Sequence, residues 1–361
     1  MNIYLISNSF KSFYLFRKEI ITSLSKKHNV TLIANDDEYV KIFEQNNKCI
    51  KLNSVFNSKN LFKSLFFILK LILIFIKKRP DIVQTYTIHP NLLCIPIAKL
   101  FFAKTFAMIT GMGATSVSDN NFLKKVLDVC YKISFYFCDE VIYVNEQNEK
   151  YFVNYLGVKA KSNRIYGAGI DLKKKHVLNK FFQKKYSLNN TFNILYVGRI
   201  IKEKGVLDVI KIFKLLNIRS KRLIIVGDFD HNAFSKTINK KIFNYPGIIF
   251  TGHLKDTSQI FELGNVFLLP SLTEGMPTTL MESIKYDIPT ISYKIPGVID
   301  IIKDEINGSS VEVGDIHNMK SKIMKIYRSN QFRKKIITNS KKLKLRIDRK
   351  NTIKKVINLY E

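Results

Sequence analysis

Acidic residues are scarce in this 361-residue chain: 29 Asp and Glu stand against 59 Lys and Arg, a formal net charge of +30. Such an imbalance favours polyanionic partners, whether nucleic acid, anionic lipid or phosphorylated substrate. A codon-biased composition rich in lysine, asparagine and isoleucine gives the same total, although not the same clustering. Cysteine is equally sparse. Cys49, Cys94, Cys130 and Cys138 show neither CxxC nor Cys/His spacing, which excludes a zinc site and a disulfide framework and suits a reducing compartment. Long low-complexity runs are missing, and 46% of the residues are hydrophobic, so extended disorder is excluded. Helix-turn-helix, RRM and zinc-finger patterns are absent too, and no nucleic-acid partner is expected.

The chain also lacks a membrane-spanning run. Its most hydrophobic stretch, LFKSLFFILKLILIFIKKR from Leu61 to Arg79, is interrupted at Lys70 and closed by Lys77, Lys78 and Arg79. Lys63, Lys70 and Lys77 recur every seven residues, so on a helix they share one side, with about 20° of drift per step. Leu, Ile and Phe occupy the rest of the circumference. That pattern suits a helix lying in a membrane interface, its lysines reaching anionic head groups. A crossover helix packed on a sheet with a solvated lysine edge fits the same residues, and one helix can be both. NFLKKVLDVCYKISFYF, Asn121 to Phe137, repeats the character. Peripheral attachment to an anionic membrane surface through the amino-terminal half is the expectation. The opening MNIYLISNSF has no basic n-region and no full h-region, and reads as a first strand rather than a signal peptide.

What is present is a double alternation. NIYLIS, NVTLIA, DIVQTY, FAMIT and EVIYVN read as strands between helical patterns such as FYLFRKEIITSLSKK. After a polar, basic interval at residues 171–190 a second set begins with FNILYVG, RLIIVG, IIFTG, VFLLP and PTISY. Strands alternating with helices imply doubly wound parallel α/β sheets. At this length two domains are expected. The divisions are 1–168, a linker at 169–190, a second domain at 191–335, and a basic helical tail at 336–361 that returns to the first domain.

Open parallel sheets bind ligands beyond the carboxyl ends of their strands. Three segments place unusual residues there. ILYVGRIIKEKG leads from a strand through Gly198 to Arg199, Lys204 and Gly205. Gly198 permits a sharp turn, Arg199 offers a planar fork and Lys204 a compact charge, a set suited to a diphosphate. Two surface cations in a basic protein would read identically. VFLLPSLTEGMPTTLMES ends a strand at Pro270 and opens a helix near Pro277, so backbone amides at Thr278 and Thr279 form an anion site. Its carboxylates, Glu274 in the loop and Glu282 a turn into the helix, are able to chelate the vicinal diols of a sugar. A loop carboxylate and a solvated helix residue are the plain alternatives. IPGVID, Ile295 to Asp300, is a third turn after a strand.

GRIIKEKG, then IIVGD, then two glutamates eight apart in LPSLTEGMPTTLMES together resemble glycosyltransferase family 4, and the resemblance runs from Tyr86–Gly113 through YGAGIDLKK. It implies a GT-B fold, two Rossmann-like domains facing a cleft, and a retaining, UDP-sugar-dependent transferase. Within the family the amino-terminal half is most similar to bacterial enzymes that build surface polysaccharide, capsule or O-antigen, on undecaprenyl-diphosphate carriers. The resemblance implies a lipid-linked glycan acceptor, work at the cytoplasmic face of the inner membrane, and no metal or other cofactor. It assigns Arg199 and Lys204 to the donor diphosphate, Glu274 to the donor sugar and Glu282 to the ribose. Gly198 and the backbone of Met276, Pro277, Thr278 and Thr279 cradle the donor. Departures from the pattern are SNSFKSF, which lacks the glycine pair of many relatives, Asn265 in place of aspartate, Tyr286-Asp287 in place of a small residue and glycine, and Asp300 in place of glutamate.

On the acceptor side, His89 and the glycines Gly111 and Gly113 follow strands. Glycine permits close backbone approach to a ligand. His89 would orient an acceptor hydroxyl, or else cap a helix starting near Pro90. A nucleotide-sugar epimerase of the same fold would need acid and base residues that the sequence does not offer. A non-catalytic sugar-binding scaffold would not need the cations and glutamates.

Overall fold

Near-continuous apolar runs become buried strands in both halves of the chain, as expected for parallel sheets covered on both faces. The computed structural model describes residues 1–53, 61–111, 121–173, 180–229 and 245–360. It divides into two units, Met1–Ala168 with Lys350–Glu361, and Gly169–Arg349.

The first unit holds β1 (Asn2–Ser9), β2 (Asn29–Asn35), β3 (Lys48–Leu52), β4 (Ile82–Tyr86), β5 (Lys104–Ile109), β6 (Glu140–Tyr143) and β7 (Lys161–Arg164). They form one parallel sheet in the order β3-β2-β1-β4-β5-β6-β7. The crossovers carry α1 (Phe10–Ser25), α2 (Val40–Glu44), α3 (Leu61–Lys77), α4 (Ile88–Leu100), α5 (Asn121–Tyr136) and α6 (Glu146–Lys150). Strand order reverses between β1 and β4. Right-handed crossovers therefore put α3, α4 and α5 together on one face, and α4 packs against both of its neighbours. Phe67, Leu71 and Phe75 of α3 enter a core with Tyr4, Ile6, Val83 and Ile97. Ser134 of α5 donates to the Asn91 carbonyl of α4 at 2.6 Å.

The second unit holds α7 (Lys180–Lys185), β8 (Phe192–Val197), α8 (Val206–Leu215), β9 (Lys221–Val226), β10 (Ile248–Gly252), α9 (Ser258–Phe261) and β11 (Val266–Leu269). Beyond these lie α10 (Thr278–Lys285), β12 (Thr290–Tyr293), β13 (Ser309–Val311), α11 (Ile316–Arg328), α12 (Asn330–Lys341) and α13 (Lys344–Ile347). Its parallel sheet runs β10-β9-β8-β11-β12-β13 and reverses between β8 and β11.

The chain passes between the units after Ala168 and again after Arg349, and the flanking segments pair. Ile170 N–H donates to the Ile347 carbonyl at 2.8 Å, and Arg349 N–H donates to the Ile170 carbonyl at 3.0 Å. The last helix, α14 (Arg349–Ile357), then delivers Tyr360 to the first unit, edge-on to Phe106 at 5.4 Å between ring centroids. Beside them Arg17 is buried with its guanidinium 4.1 Å from the Tyr86 ring centre. Arg17 Nη1 donates to the Ser12 carbonyl at 3.2 Å and Ser12 Oγ at 3.1 Å. Burial lowers its pKa, and Tyr86 and Tyr360 act in the opposite sense.

Candidate functional site

The second unit gathers its unusual residues beyond the carboxyl ends of β8, β9, β11 and β12. Three glycines explain how closely those loops approach. Gly227, at φ +150°, would place a Cβ 1.9 Å from the Gly198 carbonyl oxygen. Gly205, at φ +69°, would place one 2.0 Å from the Pro270 carbonyl oxygen, and Gly297, at φ +79°, one 2.1 Å from that of Gly275. Any side chain at these positions overlaps backbone, so the loops touch main chain to main chain only because glycine stands there. Hydrogen bonds complete the clasp. Leu272 N–H donates to the Glu203 carbonyl at 2.8 Å, and Gly198 N–H to Val226 at 3.0 Å. Tyr196 OH holds the Arg199 carbonyl at 3.0 Å.

Arg199 and Lys204 thus follow β8, while Glu274 follows β11, its neighbour across the strand-order reversal. Lys204 Nζ meets Glu274 Oε1 at 2.5 Å, with the side chains 22% and 13% exposed. An ammonium has three protons and a carboxylate several lone-pair sites, so both groups keep capacity for a ligand beyond their pair. Arg199 is exposed on the adjoining turn. Gly205 stands in the left-handed region and opens α8.

Met276 and Pro277 precede α10, whose N-cap is Pro277 with extended backbone and no side-chain cap. Proline is therefore one step earlier than a first-turn position. Amides at Thr278 and Thr279 belong to the first turn, where intrahelical partners are lacking. The helix dipole adds partial positive charge there. Glu282 lies a turn further on. Thr257 Oγ1, from the approach to α9, donates to its Oε1 at 3.2 Å. Burial pushes the Glu282 carboxyl up to about 7, and the Thr257 hydrogen bond opposes that rise.

Glu274 and Glu282 are engaged by different groups on different elements, Lys204 after β8 and Thr257 before α9. Thr257 and Tyr196 escaped the sequence reading. Thr257 is 25 positions from its partner, and Tyr196 reads as an ordinary apolar strand residue. Gly227 and Gly297 were visible only as turn residues, because their clasping role depends on strands distant in the chain. Two of the departures from the family pattern, Asn265 and Asp287, have local accounts. Asn265 Oδ1 accepts the Asn193 N–H at 2.7 Å and fastens the start of β8. Asp287 adopts φ +61°, a conformation typical of glycine, and accepts from Lys344 Nζ at 2.7 Å. Among the described residues, no three His, Cys, Asp or Glu side chains gather as metal ligands would.

In the first unit, His89 is the second residue of α4, exposed, with its pKa lowered by burial of the ring surroundings. The helix starts at Ile88 with Thr87 as N-cap, so His89 sits inside the first turn and does not cap it. Thr87 takes φ +71°, and its hydroxyl donates to Asn8 Oδ1 at 2.7 Å. Gly111 follows β5 at φ +146°. Gly113 lies outside the described residues, as do Lys174 and the Lys63 side chain.

Comparison with known proteins accords with both units. A model described as Glycosyltransferase Family 4 matches residues 18–174, and one described as Glycosyl transferases group 1 matches residues 179–343. The capsular polysaccharide biosynthesis glycosyltransferase CapM of Staphylococcus aureus is 27% identical, over 92% of this chain and 89% of its own. The N,N'-diacetylbacillosaminyl-diphospho-undecaprenol alpha-1,3-N-acetylgalactosaminyltransferase of Campylobacter jejuni is 25% identical, over 100% of this chain and 98% of its own. Among solved structures, Anabaena HepE in complex with UDP superposes with a TM-score of 0.83 at 14% identity, covering 100% of this chain and 99% of that one. The fold is GT-B, with two Rossmann-like domains.

Proposed function

The chain belongs to the glycosyltransferases that join a family 4 domain to a group 1 domain, and on that premise we propose that it moves a hexose or N-acetylhexosamine from a UDP-sugar to an undecaprenyl-diphosphate-linked glycan. The transfer retains anomeric configuration, serves bacterial surface polysaccharide assembly, and takes place at the cytoplasmic face of the inner membrane with the protein peripherally attached. The Lys204–Glu274 pair, flanked by Arg199 and the open start of α10, carries this reading. The Campylobacter relative supports the acceptor class, the Staphylococcus relative the surface-polysaccharide role, and the UDP complex of the Anabaena neighbour supports the donor class.

In this reading the bond between the anomeric carbon and the phosphate oxygen breaks, and a bond from that carbon to the acceptor oxygen forms on the same face. The departing phosphate oxygen takes the acceptor proton, so no protein base and no metal is needed. Negative charge grows on the diphosphate as it leaves. Arg199, the free protons of Lys204 and the α10 amides stand ready for that charge without reorganising, the arrangement that contributes most to enzymatic rate. Glu274, steadied by Lys204, has its other oxygen for a sugar hydroxyl. Glu282, held on one oxygen by Thr257, has the other for the ribose diol.

The deciding experiment measures UDP release from a panel of UDP-hexoses and UDP-N-acetylhexosamines, with membrane extract as acceptor source. Removing Arg199 or Lys204 by alanine should lower turnover about 10²–10³-fold, the range for deleting one preorganised charge donor. Near-normal transfer by both variants would refute the assignment.

A further inference from the structure

The inward stripe of α1 is Phe10, Phe13, Ile20, Ile21 and Leu24, and Arg17 stands among them where the helical period calls for an apolar side chain. It is 5% exposed. Among the described residues no carboxylate is paired with it. Its titratable neighbours are the phenols of Tyr86 and Tyr360, and its Nε has no partner. A buried charge without a counter-ion costs stability, and an apolar side chain of similar volume in its place is often neutral or stabilising. Packing alone therefore gives no reason for an arginine here. The reason lies in what the guanidinium holds.

The Arg17 side chain runs back toward the start of its helix, as long helical side chains do, and there it meets three segments at once. Nη1 donates to the carbonyl and hydroxyl of Ser12 in the first turn of α1. The guanidinium lies over the ring of Tyr86, the last residue of β4. Nη2 reaches Met108 Sδ, near the end of β5, at 3.9 Å. These segments border the reversal of strand order between β1 and β4, the place where an open parallel sheet takes its ligand. Asn8–Ser12 forms one wall of that crevice and Thr87–His89 the other. The Thr87 hydroxyl ties them by donating to Asn8 Oδ1. Thr87 is β-branched yet stands at φ +71°, a conformation that persists only where the surroundings impose it. The turn after β1 contains no glycine. Its shape is set by side chains instead. Ser9 Oγ accepts the Ser12 N–H at 3.2 Å, Asp37 Oδ2 accepts the Lys11 N–H at 2.9 Å, and Arg17 lies beneath.

We propose that Arg17 is a positioning residue: its one planar group, stacked on Tyr86 and hydrogen-bonded to Ser12, spaces the two walls of this crevice and so orients the glycan acceptor lying there. The inference rests on the transfer reaction proposed above, with the acceptor taken up by the first unit. Lysine cannot replace the group, because an ammonium neither stacks as a plane nor forks. The test compares the full-length protein with Arg17→Met and Arg17→Lys. Ser12 is half-buried and open to water once released, so Arg17→Met should melt within about 4 °C of the intact protein. In both variants the apparent kcat/KM for acceptor, from rates against titrated membrane extract, should fall at least about tenfold, while KM for the UDP-sugar stays unchanged. A lower melting temperature with both substrates affected alike would make Arg17 a merely structural residue and overturn the proposal. Full acceptor kinetics in Arg17→Lys would leave charge alone as the agent, and would overturn it too. Amide hydrogen exchange without substrates follows the walls directly. Residues 8–12 and 87–89 should both exchange faster in Arg17→Met, and an unchanged rate at either wall would also count against the spacing role. If both walls loosen but the intact protein transfers sugar to no acceptor, the spacing by Arg17 stands and the transfer reading falls instead.

Discussion

Gly297 and Gly314 have nearly the same backbone angle, φ +79° and +83°, but different surroundings. An added Cβ at Gly314 meets nothing within 4 Å, whereas at Gly297 it lies 2.1 Å from the Gly275 carbonyl oxygen, next to Glu274. Alanine at Gly314 therefore carries only the left-handed backbone cost of about 1–2 kcal/mol. At Gly297 the same cost is joined by an overlap. Restoring an ordinary 3.4 Å contact from 2.1 Å requires a displacement of 3.4 − 2.1 = 1.3 Å in the loop that carries Glu274. Overpacking of this kind adds about 1–3 kcal/mol. In a unit of this size each kcal/mol lowers the melting temperature by about 2–4 °C, so Gly297→Ala should melt well below Gly314→Ala. A misplacement of about 1 Å in a catalytic group costs on the order of 10²-fold in rate. Turnover should thus fall by that factor in Gly297→Ala and remain near normal in Gly314→Ala. Calorimetric melting and UDP release on the two variants side by side are the assay. Equal losses in both, or none in either, would show that the glycine clasp does not position Glu274.

Glu282→Ala should weaken UDP binding itself, whereas Glu274→Ala should spare UDP and impair sugar transfer; calorimetry with UDP and with UDP-sugar separates the two. Because burial raises Glu282 to about 7, UDP affinity should fall as pH drops below neutrality, and Glu282→Gln should flatten that profile. The folding linkage has the opposite sense. A raised carboxyl favours the protonated folded form, so its contribution is greatest in acid and is lost as pH rises from its ordinary value through about 7, which melting curves of the same variant across pH would reveal. Ending the chain before Tyr360 removes the ring from Phe106 and the Arg17 bed, and should destabilise the first unit by about 3–5 kcal/mol, the cost of an aromatic core truncation. The second unit should keep its UDP affinity.

Apolar strands with glycine or proline at their ends announced both sheets, because burial on two faces imposes a composition that short windows reveal. β7 shows the limit. KSNR is polar throughout and lies at a sheet edge, paired only with β6, so backbone pairing rather than side-chain pattern makes it a strand. β13 is three residues long and β3 is half-exposed; neither offers a period to detect. α7 lies within an interval that reads as polar and aperiodic. At the site, Arg199, Lys204 and the two glutamates stood out because charge directly after an apolar strand is unusual. Thr257 and Tyr196 did not, since hydroxyls and strand tyrosines are common and their relevance arises from partners brought near by folding.

The division of the first unit between the two ends of the chain has a consequence for biosynthesis. Its last segment, from Lys350, is translated 350 − 168 = 182 positions after Ala168. At about 5–20 residues per second that is a delay of roughly 9–36 seconds. Throughout it the bed formed by Arg17, Tyr86 and Phe106 waits without Tyr360. The nascent first unit cannot close ahead of the second, as a contiguous domain would. A ribosome that stops after Arg349 but before Tyr360 thus releases a protein with its second unit finished and its first unit open, a difference that proteolytic surveillance can read.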